Sequence, residues 1–81
     1  MERINLCKEY RQHFIDELGL DTWNSMTLDS QVTCLTLMKR GCSLRKINRM
    51  LSNDSLPFVA IGCGKWNNML YEYLADEMTQ E

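Results

Sequence analysis

The chain has 81 residues, 44% of them hydrophobic and 25% charged, which allows one small globular domain and excludes a disordered chain. The formal charge of −2 excludes a uniformly basic nucleic-acid coat, but the charges are sorted along the chain. Residues 1–29 carry net −3, residues 30–70 net +5 (Lys39, Arg40, Arg45, Lys46, Arg49 and Lys65 against Asp54), and residues 71–81 four acids and no base.

From residue 4 to 18, Ile4, Cys7, Tyr10, Phe14, Ile15 and Leu18 recur at three- and four-residue steps, the spacing of an amphipathic helix. Glu9, Gln12, His13 and Asp16 fall on its polar side, and Gly19 stands where a left-handed terminating residue belongs. Arg11 interrupts the apolar stripe, so its stem should lie along apolar surface while its guanidinium escapes to water. Residues 20–26 read as a short helical turn or packed loop around Trp23.

Thr27, Asp29 or Ser30 can cap the next helix, whose stripe is Leu28, Val32, Leu35 and Met38. Lys39 and Arg40 occupy its last turn, and Gly41 stops it. Ser43 caps a third helix with Leu44, Ile47 and Leu51 on one side and Arg45, Lys46 and Arg49 on the other.

Residues 52–55 form a turn cluster. The apolar run 56–61 contains Pro57 and is equally compatible with a short helix and an extended segment; Gly62 and Gly64 close it. The last helix runs from 65 to about 79, with Trp66, Met69, Leu70, Tyr73 and Leu74 on one face and Met78 at its edge. The expectation is an all-α domain of four or five helices spanning residues 1–81.

Residues 32–51 carry the functional signal. A helix ends in Lys39-Arg40, turns through Gly41-Cys42-Ser43, and restarts as a short helix, the layout of a helix-turn-helix. Leu37, Leu44, Ile47 and Leu51 would lock the two helices together. Arg45, Lys46, Asn48 and Arg49 would form the free face, with side chains that pair with phosphates, guanine acceptors or the adenine edge. A solvated outer face of a small bundle would also carry such charges.

The stretch from Leu37 to Leu51 resembles the L-x-x-x-G-x-S-x-R-x-I-x-x-x-L pattern of homeodomain-like and Trp-repressor-like DNA-binding domains. The resemblance covers about fifteen residues and implies a helix-turn-helix regulator that binds duplex DNA. In those families this stretch is the supporting helix and the following one reads bases, which places the motif at 37–61 and the reader at 55–61. Residues 56–61 offer almost no hydrogen-bonding groups. The other register, 28–51, makes Arg45, Lys46, Asn48 and Arg49 the reading face. Both registers give Lys39, Arg40, Ser43, Arg45, Lys46, Asn48, Arg49 and Lys65 as DNA contacts. Small DNA-binding domains commonly act as symmetric dimers, so a homodimer is expected, with Leu56, Phe58, Trp66 and Tyr73 as its candidate interface. The competing reading is a protein-binding inhibitor or adaptor that uses the same apolar surface.

Other chemistry is poorly supplied. Cys7, Cys34, Cys42 and Cys63 include no C-x-x-C pair, and the single histidine is too few for a Cys/His zinc site, so neither metal nor cofactor is expected. Gly62-Cys63-Gly64-Lys65 lacks the full phosphate-loop pattern, with Trp66 where a hydroxyl is required. No nucleophile and base stand at a spacing that argues for catalysis, so a non-enzymatic protein is expected. Without an apolar leader or a membrane-length apolar run, the expected location is the cytoplasm with reduced thiols; a secreted two-disulfide protein is the alternative.

Overall fold

The computed structural model describes residues 2–56 and 64–79, with side chains from 5 to 56 and 64 to 77. The described chain is all-α, in five helices: α1 (Glu2–Leu18), α2 (Leu20–Asn24), α3 (Leu28–Lys39), α4 (Leu44–Ser52) and α5 (Lys65–Thr79). Among these residues no helix is long and apolar enough to cross a membrane. Phe58 and the apolar run beyond Leu56, and with them all but the start of the expected reader at 55–61, lie outside the described residues, as do the side chains of Ile4 and Met78.

The predicted stripe of α1 supplies Cys7 and Phe14 to the centre of the core, with Tyr10, Ile15 and Leu18 half-buried around them. Gly19 adopts φ 98°, a conformation that costs glycine little, and its N–H closes α1 on the Ile15 carbonyl at 2.8 Å. The segment left open between helix and loop is helical as α2. It drives Trp23 into the core, edge-on to Phe14 with ring centroids 5.1 Å apart.

α3 is the central element, packed on α1, α4 and α5. Here the single-stripe expectation needs correction. Gln31, Thr33, Cys34 and Thr36 are buried along with Val32, Leu35 and Met38, so α3 is covered on nearly all sides. Its polar residues tolerate this because each has a partner. Gln31 Nε2 donates to the Trp23 carbonyl at 2.9 Å and Thr33 Oγ1 to the Asp29 carbonyl at 2.9 Å. Thr36 Oγ1 accepts from Trp66 Nε1 at 3.2 Å and donates to Asn67 Oδ1 at 3.4 Å. Satisfied hydroxyls and amides can be buried at little cost, and their small volumes let neighbouring helices approach. Of the three candidate caps, Thr27 is the one used: its hydroxyl accepts from the Ser30 N–H at 3.2 Å.

α5 lies on α3 and α1 and buries Asn67, Leu70 and Leu74. Tyr71 donates to an Asp29 carboxylate oxygen at 2.6 Å, fastening α5 to the start of α3. Cys7 and Cys34 are small core residues and Cys42 is half-buried, all three as free thiols.

Candidate nucleic-acid interface

α3 and α4 are joined by a tight turn whose backbone explains its sequence. Arg40 ends α3, Gly41 takes φ 93°, and the Cys42 N–H returns to the Leu37 carbonyl at 2.9 Å. This left-handed closure requires the residue after the helix cap to be glycine or to accept strain. Ser43 then opens α4, its hydroxyl accepting from the Lys46 N–H at 3.2 Å. Ser43 is exposed, and while its oxygen accepts the cap bond its O–H remains as a donor.

The strong amphipathicity of α4 fixes its orientation. Ile47 is fully buried, and Leu44, Met50 and Leu51 are half-buried against the same core. Arg45, Lys46, Asn48 and Arg49 are all exposed. Arg45 and Arg49, four residues apart, share one helix face, with Lys46 and Asn48 flanking it. No ion pair joins Arg45, Lys46 or Arg49 to a carboxylate among the described residues. A basic helix face is thus presented to solvent without internal neutralisation. Asp54, at φ 54°, and the Ser55 N–H bonded to the Met50 carbonyl at 2.8 Å end the helix. Ser55 itself, the first residue of the expected downstream reader, is not helical.

The remaining predicted cations lie at helix ends. Lys39 and Arg40 are exposed at the end of α3, and Lys65 is the exposed first residue of α5. Lys39 Nζ stands 4.9 Å from the Trp66 ring centroid, which ties the end of α3 to the start of α5. Trp66 and Tyr73, candidate interface residues on sequence grounds, are half-buried against the chain's own core, as is Leu56. Among the described residues Leu20 is the large hydrophobic side chain left most open, at 50% exposure.

Electrostatics follow the sorting seen in the sequence: Lys39 and Arg49 suit the last turns of α3 and α4, but the starts of α4 and α5 run against the helix dipole. Arg45 and Lys46 occupy the first turn of α4, where the helix dipole disfavours cations, and that turn has no acid. Lys65 likewise starts α5, whose last turn has no base. Lys46 also occupies the third helical position after Ser43, where a glutamate would complete a reciprocal capping box.

Sequence reasoning missed a second feature. Arg11 is half-buried, and its guanidinium does not simply escape to water. It rests 5.7 Å from the centroid of the Trp23 ring, with Nε buried and without a hydrogen-bond partner. The interruption of the α1 stripe by arginine was the available signal. Nearby, burial, then the Glu77 carboxylate that accepts its hydrogen bond, holds the Tyr73 hydroxyl above its ordinary pKa. Among the described residues no cluster of three or more His, Cys, Asp or Glu side chains is arranged to hold a metal ion. No protein-family model, curated protein or solved structure matches the chain.

Proposed function

We propose that the protein is a small duplex-DNA-binding regulator that docks through α4, with α3 as the supporting helix. The observation that carries this reading is the exposed face of Arg45, Lys46, Asn48 and Arg49, without an ion pair among the described residues, on a helix anchored by fully buried Ile47. The turn at Gly41 and the cap at Ser43 favour the register 28–51, because they set a helix with hydrogen-bonding side chains on the buried scaffold of α3. Arginine and lysine contact phosphates or guanine, and Asn48 has the donor and acceptor pair that adenine requires. Lys39, Arg40 and Lys65 add phosphate contacts at the flanks. The acids of α5, Glu72, Asp76 and Glu77, turn the far end of that helix away from the phosphate backbone and so help orient docking.

Fluorescence anisotropy of a labelled random-sequence duplex, titrated with protein over a salt series, tests the reading. Affinity should fall steeply with salt, since binding releases condensed counterions. Absence of binding at low salt, together with salt-resistant capture of a stoichiometric protein, would replace it with the protein-binding reading.

A further inference from the structure

Away from α4, an open pocket of about 440 Å³ lies among α1, α2, α3 and α5. Its walls include Arg11, Leu20, Trp23, Gln31, Leu74 and Glu77. That volume is within the range that encloses small organic ligands. The pocket has an apolar part, Leu20 at its rim over a floor closed by Trp23 and Leu74, which are 3% and 1% exposed, and one cationic group, Arg11. Leu20 is half exposed, although large aliphatic side chains are otherwise covered among the described residues.

Arg11 is held in place before any ligand arrives. Its guanidinium rests on Trp23, and Trp23 is fixed by its edge-on contact with Phe14 and by the Gln31 amide on its carbonyl. Arg11 makes no ion pair with a carboxylate among the described residues, Glu77 included. Glu77 is engaged instead by the Tyr73 hydroxyl. The buried Nε is closed to solvent, which leaves the terminal guanidinium nitrogens as the groups a ligand can meet. A stacked arginine with its planar donor edge free is pre-organised for a carboxylate, and little side-chain entropy is lost when the anion binds.

We propose that this pocket binds a small organic carboxylate with an apolar body, the carboxylate on Arg11 and the body against the open side chain of Leu20. Glu77 on the same wall weakens the attraction for an anion and sets a modest affinity. The site uses no residue of α4 and does not depend on DNA binding.

The test is a ¹H–¹⁵N correlation titration of the full chain with sodium hexanoate at constant ionic strength, with hexanol and hexylammonium chloride as parallel probes. Hexanoate should shift the Trp23 indole N–H and the Gln31 side-chain amide, leave the Trp66 indole in place, and saturate at millimolar-order concentration. Arg11→Gln should weaken hexanoate at least tenfold, Arg11→Lys should restore part of the loss, and Glu77→Gln should tighten it severalfold. Equal binding of hexanol, preference for hexylammonium, or non-saturating shifts would overturn the proposal. Unchanged binding in a folded Arg11→Gln variant would do so as well. If Arg11→Gln does not fold, the three-probe comparison and Glu77→Gln decide it on the native scaffold.

Discussion

Lys39 and Trp66 meet at 4.9 Å, ammonium over ring, where the end of α3 crosses the start of α5. The same indole donates to Thr36 Oγ1, one turn earlier on α3, so one aromatic side chain binds both the inside and the outside of that helix end. The two contacts differ in worth. An exposed cation–π contact contributes about 0.5–1 kcal/mol. Losing a partly buried ring and its hydrogen bond costs more, on the order of 3 kcal/mol. Trp66→Leu should therefore lower the urea midpoint severely, while Lys39→Ala should shift it only slightly. Equal losses would mean that the Lys39 contact, rather than the buried ring, secures α5.

The turn between α3 and α4 depends on backbone conformation alone. A Cβ at Gly41 would meet nothing within 4 Å, so Gly41→Ala tests the φ of 93° without steric confusion. It should cost about 1 kcal/mol, the usual left-handed penalty for a residue with a side chain. Ser43→Ala should cost a similar ~1 kcal/mol by removing the cap on the Lys46 N–H. Chemical denaturation of both variants checks these values; a neutral Gly41→Ala would show that the turn relaxes.

Lys46 offers a sharper separation of stability from function. Lys46→Glu removes a cation from the positive end of α4 and completes a capping box with Ser43. The variant should be more stable by about 0.5–1 kcal/mol and bind DNA more weakly. A loss of stability would show that the lysine supports the fold rather than a partner.

Alkaline pH should destabilise the protein. Burial pushes the Cys7 thiol from its ordinary 9.0 up to about 11. Burial and then the neighbouring Cys42 push Cys34 up to about 12. Desolvation and then the Asp29 carboxylate push Tyr71 from 10.0 up to about 12. In each case the unfolded chain releases its proton first, so above pH 9 the native state binds more protons than the unfolded one. The stabilisation is complete below about pH 9 and declines as pH rises toward about 12. Urea midpoints measured from pH 8 to 11 should fall steadily, and Cys34→Ala should flatten the decline. A level profile would contradict the burial of Cys7 and Cys34.

The helix boundaries were legible because they depend on local chemistry: Gly19, Thr27, Gly41 and Ser43 act on their own few residues. The basic face of α4 was legible for the same reason, since one helix carries both Ile47 and the charges opposite it. The burial of α3 was not. Thr33, Thr36 and Gln31 look solvent-facing in a hydropathy pattern; Thr33 is satisfied within its own helix, by the Asp29 carbonyl, but for Thr36 and Gln31 only partners outside the helix, Trp66 and Trp23, reveal it. The pocket at Arg11 was hidden likewise, because it is assembled from four helices and only its misplaced charge was visible in α1.

On the proposed reading, the α4 face binds the phosphate backbone and bases of duplex DNA. The most direct measurement compares the salt dependence of DNA affinity for the native chain and for Arg45→Ala/Arg49→Ala. These exposed side chains carry no described ion pair, so the double variant should keep its stability within about 0.5 kcal/mol. Each phosphate contact contributes about −0.9 to the slope of log affinity against log salt, so losing two should reduce the slope by about 2. A folded double variant with the native affinity and an unchanged slope would contradict α4 as the DNA-binding surface.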